Sequence, residues 1–138
     1  MAAAAAYLDG MNEFDEDTSV SARPNLLILY NPVIDNGPGG FGHDRVADYW
    51  EKISPMHNIT GYSPPVLFMV GDRDRLVPVE TAEKFKSKVA KGGSECRLIV
   101  YPDQPHGFFN YRGGDNPHYF KTLDAVIAFM RDYGYIQD

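Results

Sequence analysis

The 138 residues suffice for one domain that buries roughly 68–70% of the surface its unfolded form exposes, and 43% hydrophobic with 23% charged residues is a globular composition that does not indicate disorder. A net charge of −6 with a pI near 5.1 supplies no basic surface to displace counterions from nucleic acid or to meet anionic lipid, so no nucleic acid and no membrane is expected as a partner. The lone Cys96 cannot form an internal disulfide and sits in an alternating apolar run, which points to a buried structural thiol.

The opening MAAAAAYLDG lacks a basic n-region and is too short in its apolar run for a signal peptide or membrane span, so a cytoplasmic chain is expected. Five alanines directly after Met1 with no polar N-cap read as a helix entered in its middle. They read equally as an ordinary high-propensity helix start or a cloning remnant. Residues 9–24 are acidic and turn-rich. LLILYNP, from Leu26 to Pro32, is the nearly continuous apolar run of a strand buried on both faces. VIDNGPGGFGHDR is a loop by composition, and Val46, Tyr49, Trp50 and Ile53 then recur at the spacing of a short amphipathic helix.

A second loop, SPMHNITGYSPP, leads into the buried strand VLFMVGD, ending at Asp72. Pro78 stands where a helix start tolerates proline, and Val79, Ala82, Phe85 and Val89 repeat on one face until Gly92 and Gly93 end the helix. RLIVY, from Arg97 to Tyr101, is the third strand. The last helix carries Tyr119, Leu123, Val126, Ile127, Met130 and Tyr133 along one stripe. Strand and helix alternate throughout, which predicts right-handed crossovers and a parallel sheet covered on both faces, an α/β fold.

In open parallel sheets, functional groups gather in loops at the carboxyl ends of strands. Asp35 and Asn36 fall in the first such loop, Asp72 and Asp74 in the second, His106 in the third. A carboxylate and an imidazole on neighbouring strand ends can meet. Asp74 would then accept the Nδ1 proton of His106, leaving Nε2 free to take a proton from a hydroxyl nucleophile. Singly, each residue reads as well as an ordinary loop or turn residue; the order acid then base on successive strand ends is what raises the pair.

GDRDRLVPVETAEKF followed by GGSECRLIVYPDQPHGFFN resembles the acid and histidine blocks of α/β-hydrolases. The likeness is strongest to the acetyl-esterase and acetylxylan-esterase-like branch, near the hormone-sensitive-lipase and dienelactone-hydrolase families. YNPVID and the segment Ile53 to Pro55 are similar to parts of that branch. The resemblance implies a partial α/β-hydrolase fold of three layers, α/β/α, around a short parallel sheet, spanning 1–138 as one domain. It places the acid on Asp74 and the general base on His106, with Asp72 the weaker alternative because it lies nearer the strand. It implies a carboxylic ester hydrolase acting on a small ester, deacetylation included. A serine peptidase similar to prolyl oligopeptidase and a non-catalytic module are the alternatives.

The chain departs from that family in one large respect. No G-x-S-x-G elbow and no upstream oxyanion loop is present. Ser63 precedes a proline, where an oxyanion N–H is needed, and Ser94 lies between a helix and a strand, the reverse of an elbow. The alanine run is then similar to the remainder of the helix that follows the elbow, and the half carrying nucleophile and oxyanion loop is expected upstream. A strand of Leu26 to Tyr30 deprived of its neighbour would present an open edge, so a homo-oligomer is expected.

His43, His57 and His118 show no metal-ligand spacing, and surface or loop roles are expected for them. GPGGFG lacks the spacing and lysine of a phosphate loop, so neither cofactor nor metal is expected. Asp35, Asn36, Phe41, Trp50, Phe108 and Phe109 are candidates to line a pocket, though the aromatic residues suit a core as well.

Overall fold

The computed structural model describes residues 2–114 and 116–137. Three strands, β1 (Leu27–Tyr30), β2 (Val66–Gly71) and β3 (Cys96–Tyr101), form one parallel sheet in that spatial order. Register runs from Leu27 opposite Val66 and from Val66 opposite Cys96 up to Gly71 opposite Tyr101. The carboxyl ends of β2 and β3 therefore finish level, which places the acid and histidine loops side by side.

The period-2 alternation of β2 divides its side chains between two cores. Val66, Phe68 and Val70 face helix α1 (Ala2–Tyr7) and helix α3 (Val79–Lys91), while Leu67 and Met69 face helix α4 (Pro117–Asp132). All five are fully buried, as a strand covered on both sides demands. On α3 the i, i+3, i+7 set Ala82, Phe85 and Val89 is buried, with Phe85 against Phe68 at 5.6 Å between ring centroids. Burying each such ring contributes roughly 1.5–3 kcal/mol. The alanines of α1 let it lie close: Ala3 and Ala6 are buried, and Tyr7 reaches Ser63 Oγ at 2.6 Å. Burial pushes that phenol up to about 12.

Four expectations need adjusting. The first strand is shorter than the run Leu26 to Pro32, because Asn31 turns to φ 43° and Pro32 has no N–H to continue a ladder. The amphipathic helix of Val46 to Ile53 shrinks to the single turn α2 (Trp50–Ile53), preceded by a 3₁₀ turn at His43–Arg45. It buries no residue and its N-cap Tyr49 offers no side-chain cap, so little holds a longer helix together. The loop from Ser54 contains another 3₁₀ turn, Pro55–Asn58.

On α4 the buried positions are Thr122 and Phe129, whereas Leu123 is 39% exposed and Tyr133 caps the helix end. The helix meets the core through Thr122, Val126, Phe129 and Tyr133, a face turned slightly from the stripe the spacing suggests. Its start is set by Asn116, whose Oδ1 accepts from the His118 N–H at 3.1 Å, a standard N-cap bond.

Cys96 is buried, and loss of solvation pushes its thiol up to about 12. Iodoacetamide at about pH 8 is therefore expected to label it negligibly in the native chain and readily in denaturant, because the thiolate is the reacting form. Fast native labelling, followed by mass spectrometry, would contradict the buried placement.

Candidate active site

The acid loop begins where β2 ends. Gly71 closes the strand, and the chain turns so that Asp74 points inward while Asp72 is exposed. Asp74 has a side chain of 0% exposure. Its Oδ1 accepts the N–H groups of Leu76 at 2.8 Å and Val77 at 3.0 Å. Its Oδ2 accepts from His106 Nδ1 at 2.8 Å and from the Asn31 side-chain amide.

Burial, the largest influence, opposes the charge. The Val77 N–H, the Asn31 amide, the Leu76 N–H and His106 together outweigh it and hold the carboxyl below its ordinary range. A buried carboxylate with four donors is thus a settled anion.

The histidine loop comes from β3. The Gln104 carbonyl accepts the Arg73 N–H at 3.0 Å, tying the two loops together, and Gly107 takes φ 74° directly after the histidine. The His106 side chain is 43% exposed. With Nδ1 committed to Asp74, Nε2 has no hydrogen-bond partner among the described residues. A base oriented by a buried carboxylate, with its second nitrogen unpaired, can accept a proton from a hydroxyl that approaches it.

The structure therefore brings Asp74, and not Asp72, to His106. It also adds Asn31, which sequence reasoning passed over; the signal available was an asparagine directly before a proline at a strand end.

Other candidates fall elsewhere. Asp35 and Phe41 line a cavity of about 150 Å³ with Pro32, Ile34, Leu76 and Val77. His106 is not among its lining residues, so it gives no measure of an acyl group. Asn36 bonds the Phe41 carbonyl and Ser54, and Trp50 stacks edge-on against His57. Phe108 is 6% exposed beside Tyr101, and Phe109 packs on Tyr30. Both belong to the core rather than to a pocket.

A second Ser, His and Asp cluster exists, but its geometry is wrong for a relay. Ser54 Oγ lies 2.9 Å and Asp35 Oδ1 3.8 Å from the same His57 nitrogen, Nδ1, whereas a relay uses both ring nitrogens. Ser63 is fully buried on Tyr7, and Ser94 bonds the Ser63 carbonyl. No group of three metal-ligating side chains gathers among the described residues, and no helix there is long and apolar enough to cross a membrane.

Parallel strands ending level, with the acid on one and the histidine on the next, are the arrangement of an α/β-hydrolase fold. Within that class the chain belongs to the prolyl oligopeptidase family, whose profile matches residues 35–133. Esterase 2 of Thermogutta terrifontis, solved phosphoramylated by tabun, superposes with a TM-score of 0.89 at 32% identity, over 99% of this chain and 52% of that one. An acetylxylan esterase of Xylanibacter ruminicola is 32% identical over 105 residues, 62% of this chain and 21% of that protein. Acylamino-acid-releasing enzyme 1 of Oryza sativa is 33% identical over 64 residues, 46% of this chain and 8% of that protein. The chain spans about half the length of the solved esterase and about a fifth of the acetylxylan esterase.

Proposed function

We propose that this chain supplies the acid and the general base of a serine-type carboxylic ester hydrolase acting on small esters. The observation that carries the reading is the bond from His106 Nδ1 to the buried carboxylate of Asp74 at 2.8 Å, on an imidazole whose side chain is 43% exposed. In this reading the nucleophile lies on a segment outside these 138 residues. His106 takes its proton, Asp74 stabilises the imidazolium, and the proton passes to the departing alkoxide while the acyl group stays on the serine oxygen. Water then repeats the cycle and releases the acid.

The test is hydrolysis of p-nitrophenyl acetate. The chain alone should show background rates, since a base without nucleophile or oxyanion donors stabilises little of the transition state. Joined to a segment that carries G-x-S-x-G and the oxyanion loop, it should turn the ester over, and His106→Ala should lower kcat by about 10⁶-fold. Turnover indifferent to His106→Ala would remove the proposal and leave a non-catalytic module. The peptidase alternative has the family's own name in its favour; cleavage of N-acetyl-alanine p-nitroanilide in preference to the ester would establish it.

The proposal extends to a homo-oligomer. Its support is the outer edge of β1, which has no partner strand among the described residues. Phe120, 51% exposed on α4, adds an apolar surface. Unpaired strand edges and apolar patches both favour association. Light scattering at micromolar concentration is expected to give a mass above 15.5 kDa; a monomer whose β1 amides exchange slowly would mean that the edge is already covered.

A further inference from the structure

Asn31 is 4% exposed and adopts φ 43°, a left-handed conformation that side-chain-bearing residues rarely take. It also precedes Pro32, a position ordinarily extended. Its backbone N–H is anchored on the Met69 carbonyl at 3.0 Å, so the turn comes immediately after the strand. The side-chain nitrogen donates to Asp74 Oδ2, and the side-chain oxygen is left buried with no partner. The amide cannot be flipped to relieve this. An ionised carboxylate accepts only, so the group facing it must be the NH₂.

Three unfavourable features thus converge on one residue: a left-handed backbone, a pre-proline position and an orphaned buried oxygen. Glycine would make the same turn with less strain, and an apolar residue would leave no orphan. What asparagine alone adds is the donor aimed at the oxygen that also receives the histidine.

We propose that Asn31 is a positioning residue for the acid and base pair. Its amide fixes the Oδ2 end of the Asp74 carboxylate, as Leu76 and Val77 fix the Oδ1 end, and so presents to His106 an acceptor that selects the tautomer with its proton on Nδ1. The proposal rests on the reading of Asp74 and His106 as the catalytic pair. Without the amide the carboxylate keeps its backbone bonds at one oxygen but loses the restraint at the other. The carboxylate can then swing about its Cβ–Cγ bond so that Oδ2 leaves Nδ1, and an imidazole without that acceptor is released toward the tautomer protonated at Nε2, which cannot accept the nucleophile's proton.

The experiment follows the His106 ring nitrogens by long-range ¹H–¹⁵N spectra and the Asp74 carboxyl carbon by ¹³C titration, in the full chain and in Asn31→Gly and Asn31→Leu. Glycine keeps the turn and removes the donor; leucine removes the donor without opening space for water. Both variants are expected to raise the Nε2–H tautomer fraction at least about threefold and to move the Asp74 titration to higher pH. A residue that only shapes the turn would lower the melting temperature and leave the ring tautomer and the carboxyl titration unchanged, and that result overturns the proposal. Should Asn31→Leu not fold, Asn31→Gly alone decides. These readouts need neither nucleophile nor substrate. If they shift while a nucleophile-completed protein fails to hydrolyse esters, Asn31 retains its role toward the pair and the esterase reading falls.

Discussion

Replacing Asp74 by asparagine is expected to lower the acyl-transfer rate of a nucleophile-completed protein by about 10⁴-fold and to destabilise the fold as well. Both carboxylate oxygens accept two donors: Leu76 and Val77 N–H on one, His106 Nδ1 and the Asn31 amide on the other. An asparagine has one oxygen and one NH₂, so either orientation sets a donor against two donors. If the NH₂ faces the histidine, the imidazole must turn its unprotonated Nδ1 inward and carry the proton on Nε2. If it faces the loop, two buried N–H groups lose their acceptor at about 1–3 kcal/mol each.

The same carboxyl makes stability fall in acid, and the sign follows from the direction of its shift. Its protonation in the folded chain is held below the ordinary value of 3.8. The stabilisation is therefore present above that value and is lost as pH falls through the lower, folded-state one. Melting temperatures from about pH 5 down to about pH 3 should decline less steeply in Asp74→Asn than in the parent chain. Parallel declines, or an unimpaired rate, would show that the carboxylate is not the hub described.

Gly71→Ala is expected to be the more disruptive change structurally. A Cβ at Gly71 would stand 2.1 Å from the Gln104 carbonyl oxygen and 2.6 Å from its carbonyl carbon. The obstacle is backbone, so no rotamer change relieves it, and the Arg73 N–H holds that carbonyl in place. Overpacking typically costs about 1–3 kcal/mol, and a backbone obstacle places this case at the upper end. The strain falls between the acid and histidine loops, so His106 should also withdraw from Asp74, seen as loss of its Nδ1–H signal. Gly61→Ala provides the control, as a Cβ there meets nothing within 4 Å. Equal denaturant midpoints for Gly71→Ala and Gly61→Ala would refute the close approach.

The sheet and the pair were legible for different physical reasons. Continuous apolar runs at Leu26 to Tyr30 and from Val66 onward are what strands covered on both faces require, and β1 and β2 lie where those runs are. The choice of Asp74 over Asp72 came from position in a motif, and the structure explains it: the turn after Gly71 leaves Asp72 outside and buries Asp74. The helix around Val46 was overread because spacing alone says nothing about whether a face finds something to cover. Leu123 was overread on α4 for the same reason: the helix meets the core through Thr122, Val126 and Phe129, and Leu123 falls beside that face. Asn31 escaped notice because its role depends on a contact 43 residues away, and no local pattern encodes a partner at that distance.

Asp74 and His106 hang from the two ends of a single crossover, β2 through α3 to β3, only 32 residues apart. Such a unit is small enough to be duplicated, recombined or inherited as one block, carrying a ready proton acceptor with it. On the proposed reading, the hydroxyl that His106 would serve need not lie on the same stretch of chain. Divergence among relatives that share this block should then concentrate in what is brought to Nε2, while the distance between carboxylate and imidazole stays almost constant.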